Sequence, residues 1–74
     1  MVIDFSARIV ELRKQKKVTQ KQLAIDLSIS ERNYQRLEAG STIPTVDTVI
    51  KLCRYFNVSA DYLLGVSDNL QGGD

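Results

Sequence analysis

Seventy-four residues make room for one small domain with a thin core, because a chain this short buries only about 60% of its unfolded surface. Apolar residues at 43% and charged residues at 26% describe an ordinary globular chain and exclude disordered or fibrous classes. The formal net charge of +1 points to no particular partner, while the absence of histidine and the single cysteine, Cys53, bear directly on chemistry. They remove the commonest general base, the Ser-His-Asp and Cys-His arrangements, an internal disulfide and a cysteine-rich zinc site. No catalytic residue, metal or cofactor is therefore expected, and the chain is not expected to be an enzyme. Apolar runs are two or three residues long, which excludes a membrane-spanning helix. The N-terminal MVIDFSARIVELRK is not a secretory signal, so the expected location is the cytoplasm.

Five short helical patterns succeed one another, and no stretch alternates apolar and polar residues as a strand would. The first helix is expected from an N-cap at Asp4 to about Lys17, with Phe5, Ile9 and Leu12 on one face and Val10 beside them. The second opens at Thr19, where Gln22 three residues later predicts a capping box, and buries Leu23, Ala24 and Leu27. Ser28-Ile29 breaks the period. Ser30 then caps a third helix over Glu31–Ala39, with Tyr34 and Leu37 inward and Gly40 as its left-handed terminator. The connection Ser41-Thr42-Ile43-Pro44 leads to a fourth helix capped by Thr45. Its residues Val46, Val49, Ile50, Leu52, Cys53 and Phe56 predict a broad buried face central to the core. Ser59 caps a fifth, Ala60–Leu64, closed by Gly65. The domain is expected over residues 1–66 and a flexible tail over 67–74.

Charge along this series is uneven. From Arg8 to Arg36 eight basic residues face three acids; the rest of the chain holds two basic residues and six acids. Such polarity suits a domain that offers one face to an anion, although a solvated lysine-rich helix face gives the same pattern. Within the basic segment, residues 19–40 form two short helices joined by about three residues, the outline of a helix-turn-helix. To read DNA, the second helix must project into a major groove about 12 Å wide while the first crosses the backbone. Ala24, Ile29 and Leu37 are spaced to let the two helices approach and to lock their angle. Helical hairpins of this kind also occur in proteins that never touch DNA.

The segments Val18-Thr19-Gln20-Lys21-Gln22-Leu23-Ala24, Leu27-Ser28-Ile29-Ser30 and Arg36-Leu37-Glu38-Ala39-Gly40 resemble the Cro/CI-type (XRE) helix-turn-helix family. Ile9-Val10-Glu11-Leu12-Arg13 and Val58-Ser59-Ala60-Asp61-Tyr62-Leu63-Leu64 resemble its first and closing helices, so the likeness covers roughly residues 4–65. It implies an all-α, compact five-helix bundle of the lambda-repressor-like type. It also implies sequence-specific binding of a double-stranded DNA operator, transcriptional regulation by repression, and a homodimer at least on DNA. Carried over position by position, it assigns base contacts to Glu31, Arg32, Asn33, Gln35 and Arg36. Backbone contacts fall to Gln20, Lys21, Arg13, Lys17, Thr42 and Ile43, and a structural ion pair to Arg13 and Glu38. The dimer surface would use Tyr62, Val66 and Leu70. Two departures are notable. Ser28 stands where many members have glycine, and the loop 41–44 lacks the usual basic residues, which implies a shallower salt dependence. A regulatory protein partner is also admitted, because a chain this short leaves no room for a ligand-sensing domain. The competing readings are a protein-interaction module, such as an antitoxin or adaptor on the same bundle, and a fragment of a longer regulator.

Overall fold

The computed structural model describes residues 5–65. Five helices follow in order: α1 (Phe5–Lys16), α2 (Gln20–Leu27), α3 (Glu31–Ala39), α4 (Val46–Phe56) and α5 (Ala60–Leu63). No strand occurs among the described residues. The fold is the all-α bundle that the resemblance implies. Helix α3 packs against α1 and α2, α4 against α2 and α5, and α5 closes back on α1.

Local chemistry sets the boundaries. Thr19, Ser30, Thr45 and Ser59 each lie in extended backbone, and each side-chain oxygen accepts the N–H three residues on. These bonds satisfy one orphan donor per helix start. The expected capping box at α2 is only half made. Thr19 accepts from the Gln22 amide at 3.0 Å, but the Gln22 side chain turns forward to donate to Asp26 Oδ1 at 2.9 Å. The charge-assisted bond from Gln22 Nε2 to a carboxylate one turn ahead draws the side chain away from the Thr19 N–H, which its Oε1 would bond in a full capping box. The helix ends use left-handed residues: Lys17 after α1, Ser28 after α2, Gly40 after α3 and Asn57 after α4. Helix α1 thus stops one residue before the expected Lys17, and its expected N-cap, Asp4, lies outside the described residues.

Each helix sends one almost fully enclosed side chain to the centre: Ile9, Leu23, Tyr34, Leu52 and Leu63. Burying an aliphatic side chain of this size stabilises by about 1.5–3 kcal/mol, so these residues dominate a small core. Phe5, Leu12, Ala24, Leu27 and Leu37 surround them. Ala24, on the inner face of α2, is the smallest of them.

Helix α4 departs from expectation. Only Leu52 and Thr48 are buried; Cys53 and Phe56 are half-buried, while Val46 is 75% and Ile50 45% exposed. At about 100° per residue its six apolar positions span close to half the helix circumference. The neighbours α2 and α5 cover only the part centred on Leu52. The far edge of the stripe is left in solvent.

Candidate nucleic-acid interface

Helices α2 and α3 are joined by a three-residue break, Ser28-Ile29-Ser30. Ser28 adopts φ 60° and ψ 40°, the left-handed conformation that a non-glycine residue enters at some cost. Its amide donates to Ile25 O at 3.0 Å, and the Ile29 amide donates to Ala24 O at 3.0 Å. Both bonds finish the carbonyls of α2 before Ser30 starts α3. Half-buried Ile29 packs against the core beside this turn.

On α3, Tyr34 and Leu37 define the inward direction. By helical rotation Arg32, Gln35 and Arg36 point most directly away from them, with Glu31 and Asn33 on opposite flanks. All five are exposed. The first turn of α2 presents half-buried Gln20 and exposed Lys21, and Lys17 stands exposed between α1 and α2. After Gly40 the loop carries half-buried Thr42 and Ile43, whose side chain is 89% exposed. The loop is tied to α3 by the Ser41 amide, which donates to Arg36 O at 3.1 Å.

Beneath this face lies a polar hub that the sequence did not reveal in full. Arg13 Nε approaches Glu38 Oε2 at 2.6 Å, and its Nη2 donates to Glu38 Oε1 at 3.3 Å. Side-chain exposure is 15% for Arg13 and 8% for Glu38, so the pair is largely withdrawn from water. Arg13 Nη1 also donates to Val18 O at 3.0 Å, which joins the α1–α2 connection to the same guanidinium. The Tyr34 hydroxyl donates to Glu38 Oε2 at 2.5 Å and Gln20 Nε2 donates to Glu38 Oε1 at 2.8 Å. One carboxylate therefore gathers donors from α1, α2 and α3. Burial pushes the Glu38 carboxyl upward, but the bonds from Arg13, Tyr34 and Gln20 outweigh it and hold the group below its ordinary range. The hydrogen bond to Glu38 raises Arg13, and burial followed by the Glu38 bond raises the Tyr34 phenol. Gln20 Oε1 in turn accepts from Gln35 Nε2 at 3.4 Å, and Gln35 lies 3.5 Å from Glu31 Oε2. The Arg13 and Glu38 spacing was legible from the family pattern. The Gln20 amide carried no sequence signal for this role, because it reaches Glu38 only when α2 packs on α3. Tyr34 and Glu38 are one turn apart on α3, and their bond escapes a reading that takes Tyr34 only as an inward apolar residue.

Other sequence-noted residues lie away from this face. The Tyr62 ring sits beneath the Arg8 guanidinium, 4.3 Å from ring centre to Cζ, and its carbonyl accepts from Arg8 at 2.7 Å. Val66 and Leu70 lie outside the described residues. Tyr55 donates to Asp26 at 3.1 Å and meets Phe56 edge to face at 5.0 Å. Burial raises the Cys53 thiol, the opposite of what a reactive thiolate needs. Among the described residues no group of three or more acidic or cysteine side chains could hold a metal ion, and no helix is long and apolar enough to cross a membrane.

A five-helix bundle with a capped, left-handed turn between α2 and α3 and a polar outer α3 face defines a helix-turn-helix domain. The family described as Helix-turn-helix matches residues 9–63, and the chain belongs to this Cro/CI-type family. Among its relatives is the uncharacterized HTH-type transcriptional regulator YobD of Bacillus subtilis, 38% identical over 88% of this chain and 58% of that protein. The transcriptional regulator ImmR of the same organism is 41% identical over 78% of this chain and 46% of its own length. The cryptic phage CTXphi transcriptional repressor RstR of Vibrio cholerae is 33% identical over 78% of this chain and 52% of its own length. The chain spans about half the length of the curated relatives it matches. Among solved structures, the P22 c2 repressor in complex with synthetic operator 9T superposes with a TM-score of 0.79 at 27% identity. That match covers 85% of this chain and 96% of the repressor chain.

Proposed function

We propose that this domain binds double-stranded operator DNA sequence-specifically and regulates transcription, acting as a repressor. The observation that carries the reading is the outer face of α3. Its exposed Arg32, Gln35 and Arg36 project from a helix whose opposite side is locked into the core by Tyr34 and Leu37. Arginine can bond guanine O6 and N7 with two parallel bonds, worth about 1–3 kcal/mol of discrimination. Glu31 and Asn33, on the flanks, extend the reading; a carboxylate at Glu31 accepts from cytosine N4 and repels phosphate. Gln20 fixes register on the backbone. One of its two amide N–H groups is taken by Glu38, which leaves the other to donate to a phosphate oxygen. Lys17, Lys21 and Arg13, with the Thr42 and Ile43 backbone amides, supply further backbone contacts. The relatives that act as phage repressors support repression as the outcome. The protein works in the cytoplasm as a homodimer at least on DNA, without cofactor or catalytic activity, and answers to a regulatory protein partner.

Selection of bound DNA from a random pool, repeated at two salt concentrations, tests this reading. A reproducible motif, bound more weakly at higher salt, is expected. Recovery of no motif together with salt-independent retention would sink it.

A further inference from the structure

The outer face of α3 is divided by the polarity of its hydrogen-bonding groups. Arg32 and Arg36, which point most directly outward, only donate, and the Glu31 carboxylate only accepts. Gln35 carries a donor and an acceptor, and its neighbours decide which end it turns outward. The decision starts in the hub. Glu38 is held in its ionised form and can only accept, so Gln20 must turn its Nε2 towards Glu38 Oε1, at 2.8 Å. Gln20 Oε1 is left to accept from Gln35 Nε2 at 3.4 Å. The same Gln35 Nε2 lies 3.5 Å from Glu31 Oε2, one turn earlier on α3. Both contacts are long and individually weak, but they agree in direction. Turned over, the Gln35 amide would set oxygen against oxygen at both.

We propose that Gln35 meets DNA with its carbonyl oxygen alone, and so selects a base with an amino group in the major groove, adenine or cytosine, over guanine or thymine. The proposal rests on the DNA reading and gives one base position its chemistry. An unheld glutamine bonds adenine with both ends of its amide, N6 to Oε1 and N7 from Nε2, and thereby prefers adenine alone. Here the Nε2 group is directed at Gln20 and Glu31. The remaining acceptor is satisfied equally by adenine N6 and cytosine N4. Guanine O6 and thymine O4 would bring a second acceptor against it, so rejection contributes as much as attraction. By helical rotation Gln35 lies between Glu31 and Arg32, so the acceptors share one edge of the face and the arginines form its crest. Gln20 and Glu31 act on this base as positioning residues. The buried carboxylate of Glu38 thus sets, through two amides, which half of the base alphabet an exposed side chain accepts.

The test runs selection from a random DNA pool in parallel on the wild-type chain, Gln35→Ala, Gln35→Lys and Glu31→Ala. Both positions are exposed, so none of the variants removes core. Gln35→Ala marks the base position concerned, as the one whose preference disappears. There the wild-type chain should take adenine and cytosine about equally, and guanine or thymine should bind about three- to tenfold more weakly in direct titration. Gln35→Lys, which only donates, should turn the same position to guanine or thymine. Glu31→Ala frees an Nε2 hydrogen for adenine N7 and should shift the position from the equal pair towards adenine. The proposal is overturned, with the DNA reading left standing, by a wild-type preference for adenine alone, by a preference for guanine or thymine, or by a motif that Gln35→Ala leaves intact. A Gln35→Lys motif that stays at adenine and cytosine, or an adenine-to-cytosine ratio unmoved in Glu31→Ala, overturns it equally. If no chain selects any motif, the DNA reading itself fails and the proposal falls with it.

Discussion

Glu38 is the residue on which the domain's angles depend. It accepts from Arg13, Tyr34 and Gln20, and so connects α1, α2 and α3 through a single carboxylate. Removing one partner of such a largely buried pair costs more than the pair contributes, because the other charge is stranded. Tyr34→Phe is a gentler probe. The ring still fills the centre, and only the hydroxyl bond to a charged acceptor is lost. A decrease of about 1.5–3 kcal/mol in unfolding free energy is expected from urea titration, with little change in slope. The acid response follows from the depressed Glu38 carboxyl. Its folded pKa lies below the unfolded one, so its stabilisation is complete above the ordinary carboxylate range. It is lost as pH falls through the folded value. The urea midpoint of the wild-type chain should therefore fall from about pH 5 to about pH 3, and fall less steeply in Glu38→Gln.

At the scale of the element, the helix starts were legible residue by residue. A serine or threonine just before an apolar period announces a cap whose bond spans three residues, and four such caps formed. The side-chain half of the α2 capping box was not legible, since Asp26 competes for Gln22. Nor was the exposure of α4. A hydrophobic stripe states which face prefers burial, and it says nothing of how much of that face a neighbour covers. The turn between α2 and α3 was readable as a site of strain, and Ser28 does adopt the left-handed conformation. Ser28→Gly relieves the crowding at Cβ but adds freedom to the unfolded chain. The first effect is larger at this geometry, so thermal unfolding should report a gain of up to about 1 kcal/mol. A loss would mean that the turn tolerates its serine without cost.

For the whole molecule, the near-zero net charge conceals a basic stretch from Arg8 to Arg36 that runs through α1 into the helix-turn-helix, and that asymmetry was visible from counting alone. The candidate reading face was equally open to the sequence, because the outward positions of α3 follow from its two inward ones. Of the hub beneath it only the Arg13–Glu38 pair was legible, from the family pattern; the convergence of Gln20 and Tyr34 on the same carboxylate depends on how α2 packs against α3. The two kinds of DNA contact should part under mutation. Arg36→Ala should relax the selected motif, with a loss confined to preferred sequences. Lys17→Ala should weaken binding to all sequences alike and lower the logarithmic salt slope by about one. An unchanged motif in the Arg36 variant would remove that residue from base reading.

The one-sided cover of α4 has a dynamic consequence. Its first turns bury only Thr48, whereas α2 and α3 are anchored by Leu23, Ala24, Leu27, Tyr34 and Leu37. Local opening follows the distribution of buried apolar surface. Amide protons near residues 48–51 should thus exchange with deuterium sooner than those of α2 and α3, through a partial opening that leaves the polar hub intact.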